Sequence, residues 1–250
     1  MHFVRLSINE GIAEVRLKRG KVNALNEQAV EEIDGCFHQI AADPEIKAVI
    51  FTGDGPFFSF GFDIPEFLGY SKESFSRYLR RFTGLYTYLF TFPKPLVAAL
   101  NGHAIAAGCM LALTCDYRIM VSGKAKISLN EITFGSSVFA GSVAMLQSLV
   151  GGRNAHAVLY DGTMYSAQQA LQLGMIDQVS SDEDLLESTL EAARRLAAKD
   201  AAAFRSIKSL LRAPVANEMA RKKQRSVKEF VDIWYSENIW RNLQAIEIRS

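Results

Sequence analysis

Polar and apolar residues alternate over His2–Ile8 and again over Ile12–Leu17, the period-two pattern of half-buried strands. Asn9-Glu10-Gly11 between them predicts a hairpin turn. From Asn26 the period changes: Val30, Ile33, Phe37 and Ile40 recur every three or four residues. That spacing predicts a helix capped by Asn26 and running to about Ala41. Ile46–Thr52 (IKAVIFT) is largely apolar, as in a strand covered on both faces. After a loop rich in Gly, Pro and Phe come an amphipathic helix from about Lys72 to Phe90 and a strand at Leu96–Leu100. Strands and helices in this order predict an α/β protein rather than a sandwich or a helical bundle.

Beyond Glu131 the apolar strands thin out. Ser166–Leu173 predicts a short capped helix stopped by Gly174, and Met175–Val179 a brief strand. From Asp182 onward the pattern is helical, through LLESTLEAARRLAAK and then from Asn217 to about Ile246. The shift near residue 195 divides the chain into an α/β core, residues 1–195, and a C-terminal helical region, residues 196–250, suited to subunit contacts and to closing a pocket. In that region Phe230, Ile233, Trp234, Trp240, Leu243 and Ile246 form an apolar stripe, read here as core or subunit packing.

Composition narrows the function classes. Lys plus Arg total 28 and Asp plus Glu 27, a net charge of +1, and no basic stripe is interleaved with aromatics, which argues against nucleic acid as a partner. No apolar run approaches the roughly 18 residues of a membrane span. Cys36, Cys109 and Cys115 lack CxxC or disulfide-framework spacing, so a reduced, cytoplasmic setting is expected. A strand beginning at His2 leaves no room for a signal peptide. His2, His38 and His156 share no ligand spacing, so no metal site is expected. His103, after a turn glycine, reads as turn support.

Three places can carry chemistry. In Phe57–Phe67 (FFSFGFDIPEF), Gly61 can take a positive φ that turns the Phe62 amide outward, and Asp63 can cap a short helix; aromatic packing alone also explains this loop. Ala106-Ala107-Gly108-Cys109 reads as a strand-to-helix turn whose amides stabilise developing negative charge, or as a site of tight packing. Glu131 follows apolar Ile127 and Leu129 and precedes Ile132 and Phe134, so its carboxylate is expected to be desolvated, raised in pKa and fit to act as a base; a surface glutamate at a strand end is the plain alternative. Asp116 in CDYR pairs with Arg118 or caps backbone. The two amide-bearing loops lie about 45 residues apart, each just after a strand, and can converge on one carbonyl oxygen.

These segments, with NALN at 23–26, AVIFTG at 48–53, KPLVAALNGHAIAAGC at 94–109, CDYRI at 115–119, ISLNEITFG at 127–135 and SAQQALQLGMIDQV at 166–179, resemble the crotonase (enoyl-CoA hydratase/isomerase) superfamily in the right order over nearly the whole chain. The resemblance implies a crotonase-like spiral of ββα units with a C-terminal helical region, assembled as a homotrimer or hexamer. It implies an acyl-CoA thioester substrate, coenzyme A being part of that substrate and no separate cofactor being needed. The thioester oxygen would be held by the amides of Phe62 and Ala107, the acyl group by Ala24, Phe60, Gly61, Asp63, Ile64, Gly108, Met110 and Phe139, and the proton by Glu131.

Two departures matter. Relatives that hydrate enoyl-CoA resemble one another in carrying a second glutamate where this chain has Met110, a side chain that can neither hold nor protonate water. Losing that carboxylate removes on the order of 10²–10⁴ in hydration rate, whereas moving a double bond needs one base. The wording around these sites is similar to mitochondrial-type Δ3,Δ2-enoyl-CoA isomerases. Ser136–Met145 also departs from the family's common Pro-Gly-Gly-rich segment, so Val138 and Phe139 are expected to reshape the acyl pocket. Isomerisation is therefore the leading expectation. The alternatives are a hydratase, a decarboxylase or isomerase on acyl-carrier-protein-bound polyketide intermediates, and a silent acyl-CoA binder. Arg221-Lys222-Lys223-Gln224-Arg225 is read as a solvated face before a CoA phosphate contact.

Overall fold

A computed structural model describes residues 1–246; the last four positions of the helical region fall outside it. The chain opens as the hairpin β1 (Val4–Asn9) and β2 (Ile12–Leu17), with Glu10 and Gly11 both at positive φ, as a two-residue turn demands. β1 starts two residues later than the alternation predicts. The backbone N–H groups of His2, Phe3 and Val4 all donate to the Glu32 carboxylate, which ties the leading residues to α1 (Glu27–Ala42). Asn26 caps that helix, its side chain accepting from the Ala29 N–H at 2.9 Å.

From β3 onward one motif repeats. β3 (Ala48–Gly53) is followed by β4 (Phe57–Ser59), then the short α2 (Ile64–Phe67) and the long α3 (Lys72–Phe90). β5 (Leu96–Leu100) is followed by β6 (His103–Ile105) and α4 (Ala107–Leu113). β7 (Tyr117–Val121) is followed by β8 (Ile127–Ser128), a 3-10 turn over Glu131–Phe134 and α5 (Ala140–Asp161). The first strand of each pair joins a six-stranded sheet and the second joins a three-stranded one. Each ββα unit thus climbs one step along two sheets at once, which is the spiral. After α6 (Ala167–Leu173), β9 (Gln178–Ser180) closes the large sheet in the order β1-β2-β3-β5-β7-β9, parallel from β2 onward.

α7 (Leu185–Ala197) packs against β3, β5 and β7, whereas α8 (Ala201–Trp234) lies on α3 and α5. α9 (Glu237–Gln244) then turns back onto the 3-10 segment. Three features differ from the pattern reading. The helix expected from Asn217 begins at Ala201 and runs through Pro214, then breaks at Tyr235. β9 starts at Gln178 rather than Met175, because the left-handed Gly174 cap spends the Met175 N–H on the Ala170 carbonyl. α5 has no counterpart in the sequence pattern, because its small and apolar residues form no narrow stripe and Gly151 breaks its dihedrals midway.

A buried ion cluster fastens α8 to the core. Asp116 meets Lys208 at 2.7 Å and Arg212 at 3.1 Å and also accepts the Leu96 N–H. Arg212 donates further to the carbonyls of Phe90, Thr114 and Cys115. Burial pulls the Lys208 ammonium down to about 8, against the opposing pull of Asp116. Asp116 therefore caps backbone as expected, but its ionic partners come from α8. Arg118 instead pairs with Asp177 at 2.7 Å, since the β7–β9 pairing brings that carboxylate alongside.

Candidate active site

The three strands of the small sheet, β4, β6 and β8, run parallel, so their C-terminal ends lie together. Ligands in open α/β sheets collect outside such ends. β4 leads into Phe60-Gly61-Phe62, β6 into Ala106-Ala107, and β8 into Asn130-Glu131. Segments about 45 and 24 residues apart in sequence become neighbours because each is the exit of an adjacent strand.

The first exit is held on both sides. Phe60 N–H donates to the Val22 carbonyl, Leu25 N–H to the Gly61 carbonyl, and Asp63 N–H to the Leu25 carbonyl. That register leaves the Phe62 N–H facing away from the Val22–Leu25 segment. Asn23 braces the loop through its side-chain amide, which donates to the carbonyls of Asp54 and Phe57, while its own carbonyl accepts the Ser59 hydroxyl. The second exit is strained: Ala106 sits at φ 49°, ψ −116°, a conformation that favours glycine, and Ala107 opens α4. Among the described residues neither the Phe62 N–H nor the Ala107 N–H donates to a protein acceptor.

Two glycines let these exits touch. A Cβ on Gly61, at φ 104°, would stand 2.9 Å from the Ile105 carbonyl oxygen and 3.2 Å from the Ala107 nitrogen. A Cβ on Gly108 would stand 2.3 Å from the Ser59 carbonyl oxygen. Both positions require glycine for backbone contact between the loops.

Glu131, first residue of its 3-10 turn, is 5% exposed. Gly135 closes the turn in the left-handed region and Ser136 N–H donates to the Glu131 carbonyl at 2.9 Å. Oε2 has no hydrogen-bond partner among the described residues. Burial pushes the carboxyl up to about 8, opposed by its own backbone N–H. The same burial, with the charge of Glu131 nearby, pushes the Cys109 thiol up, so Cys109 is no nucleophile.

A cavity of about 250 Å³ opens over these groups. Engineered cavities of about 150 Å³ hold a benzene ring, so this one has room for an acyl chain. Of the residues singled out from sequence, Phe60, Phe62, Ile64, Ala107, Met110, Glu131 and Phe139 line it. Ala24, Gly61, Asp63 and Gly108 are not among its lining residues. Ala24 is buried beside the first exit, and Asp63 caps α2 and pairs with Arg19 at 2.6 Å. Core or subunit packing does not account for the whole C-terminal stripe, because Phe230, Trp234 and Ile246 also line the cavity. Phe230 stacks on Phe139 with centroids 4.6 Å apart, and α8 reaches the site because its ion cluster and α5 hold it there. An indole N–H in the stripe is no signal by itself, since Trp240 carries one too and does not line the cavity. Arg221 and Lys222 pair with Glu218 on the surface.

The model of the enoyl-CoA hydratase/isomerase family matches residues 7–249. The chain belongs to this family. Members known by name include human mitochondrial enoyl-CoA delta isomerase 1, 30% identical over 94% of this chain and 78% of its own length. A probable enoyl-CoA hydratase of Bacillus subtilis is 28% identical over 98% and 95%. The carnitinyl-CoA dehydratase of Citrobacter koseri is 30% identical over 98% and 94%. The solved human mitochondrial delta3-delta2-enoyl-CoA isomerase superposes with a TM-score of 0.92 at 29% identity, covering 97% of this chain and 95% of that one. The crotonase fold and an acyl-CoA chemistry follow for this family member; isomerase, hydratase and dehydratase names all occur among its relatives.

Proposed function

We propose that the chain is an enoyl-CoA isomerase that moves a double bond from Δ3 to Δ2. The observation that carries this reading is that Glu131 is the one ionisable side chain lining the cavity among the described residues, with the thioether of Met110 lining it too. The Glu131 carboxylate takes a proton from C2 of the 3-enoyl thioester. The electron pair moves onto the thioester oxygen, which the Phe62 and Ala107 N–H groups hold as a dienolate. The protonated Glu131 then returns the proton at C4, leaving the double bond between C2 and C3. A carboxyl raised to about 8 is well matched to abstracting a weakly acidic C–H near neutral pH. The apolar lining excludes water that would quench the dienolate, and hydration would need a second acid that Met110 does not supply. On this reading the charged end of coenzyme A lies over a shallow groove that shares Phe230 with the cavity, where Arg225 and the Glu218-paired Lys222 stand beside Glu229.

The test is to supply a 3-enoyl-CoA and a 2-enoyl-CoA to the purified protein. Isomerisation predicts conjugated 2-enoyl-CoA from the first and no 3-hydroxyacyl-CoA from the second. Rapid formation of 3-hydroxyacyl-CoA would replace this reading with hydration.

A further inference from the structure

The cavity carries more hydrogen-bonding capacity than this chemistry uses. Besides Glu131 Oε2, three buried polar atoms on lining residues lack a partner among the described residues: Ser136 Oγ, Trp234 Nε1 and Asn130 Oδ1. Ser136 is 7% exposed and Trp234 1%. Their other contacts are settled. Ser136 gives its backbone N–H to Glu131, and Trp234 packs its ring on Phe75 and Phe230 at 4.6 and 5.8 Å. A plain alkyl chain filling the cavity would seal these groups away from any partner, a costly arrangement that folded proteins avoid.

We infer that the acyl chain selected by this site bears a neutral oxygen, a hydroxyl or oxo group, which accepts a hydrogen bond from the Trp234 indole N–H and shares the Ser136 hydroxyl. The inference rests on the isomerase reading for its thioester frame. The chemistry of the lining sets the class. An indole N–H only donates, so the substituent must accept. No Lys, Arg or His lines the cavity among its described residues, and Glu131 ionises within it, so a carboxylate substituent would be buried without a counter-charge. A hydroxyl can in addition donate to Asn130 Oδ1, which an oxo group cannot; comparing the two measures that third contact. Trp234 and Ser136 are then specificity determinants, brought in by α8 and by the turn that carries Glu131.

The experiment compares 3-enoyl-CoA esters of equal chain length that are unsubstituted or carry a hydroxyl or oxo group at successive carbons from C5. Calorimetry on the matching saturated esters runs in parallel. At the best position the oxygenated ester should exceed the alkyl ester about 10- to 100-fold in kcat/KM, with a similar ratio in Kd. W234F, which keeps a ring and loses the N–H, should bring that ratio close to one, and S136A should reduce it. Circular dichroism checks that each variant is folded, and S136A alone decides if W234F is not. Alkyl esters equal to or better than every oxygenated ester in the wild type would overturn the inference, as would a preference that survives both substitutions. If no ester isomerises but the saturated oxygenated ester binds more tightly, the reaction assignment fails while this one stands.

Discussion

Asp116 and Glu131 are both carboxylates removed from water, fifteen positions apart, and the protein treats them in opposite ways. Asp116 meets two cations and a backbone N–H, so its charge is compensated where it is buried. Glu131 has an unpartnered oxygen over an apolar cavity and is pushed up to about 8. Removing water from a charge costs free energy in either place. In one place the cost is offset locally and a helix is fastened; in the other it is left standing and becomes basicity. Fastening serves reactivity at a distance, because α8, tied down near Asp116, brings Phe230 and Trp234 to the cavity some residues later.

The comparison can be broken at each end. Glu131→Gln should cut kcat/KM for isomerisation by about 10²–10⁴, read from the formation of 2-enoyl-CoA, since among the described residues no other ionisable side chain lines the cavity. Full activity would remove Glu131 from the mechanism. Asp116→Ala should leave Lys208 and Arg212 as uncompensated buried cations and lower unfolding stability by about 3–5 kcal/mol in denaturant titrations. A loss under about 1 kcal/mol would mean the cluster is a spectator.

pH sharpens the contrast. In the proposed mechanism the base is the ionised Glu131, so kcat/KM should rise as pH increases through about 8. Stability runs the other way. Folding raises this carboxyl from 4.5 to about 8, so the folded state holds its proton longer than the unfolded chain. The stability this contributes is fully present below 4.5 and lost as pH rises through about 8. Glu131→Gln should thus melt close to wild type at pH 4.5 and progressively above it towards pH 8, by about 2–4 °C for each kcal/mol gained. A gap that narrows with pH would contradict the desolvated carboxylate. The smallest effect belongs to the backbone: Ala106→Gly should relieve the positive φ and raise stability by about 1 kcal/mol, measured as a shift in denaturant midpoint.

Much of this was legible before the fold. The two hairpin strands, α1 with its Asn26 cap, α3 and the α/β class follow from periods of two and 3.6 and from capping residues, which are local effects. Gly61 and Gly108 were legible as constraint but not as cause. They appeared as substrate positions, and the structure places them where the two loop backbones meet. α5 and the early start of α8 were hidden, because a helix packed between other helices needs no single apolar stripe.

Sequence alone settled the α/β class, the hairpin, α1 and α3, the family likeness, the presence of Glu131 and the absence of an acid at Met110, because these depend on which residues stand near one another along the chain. Tertiary structure decided the rest. Three parallel strand ends gather Phe62, Ala107 and Glu131; Asp116 finds its cations on α8; Trp234 becomes a cavity wall. Those outcomes depend on contacts between residues tens of positions apart, and on how completely water is excluded once they meet. Desolvation is a property of the assembled surroundings: the apolar neighbours of Glu131 in sequence point to a raised pKa, but the cavity that strips its water, and the unpartnered indole of Trp234, exist only in the fold.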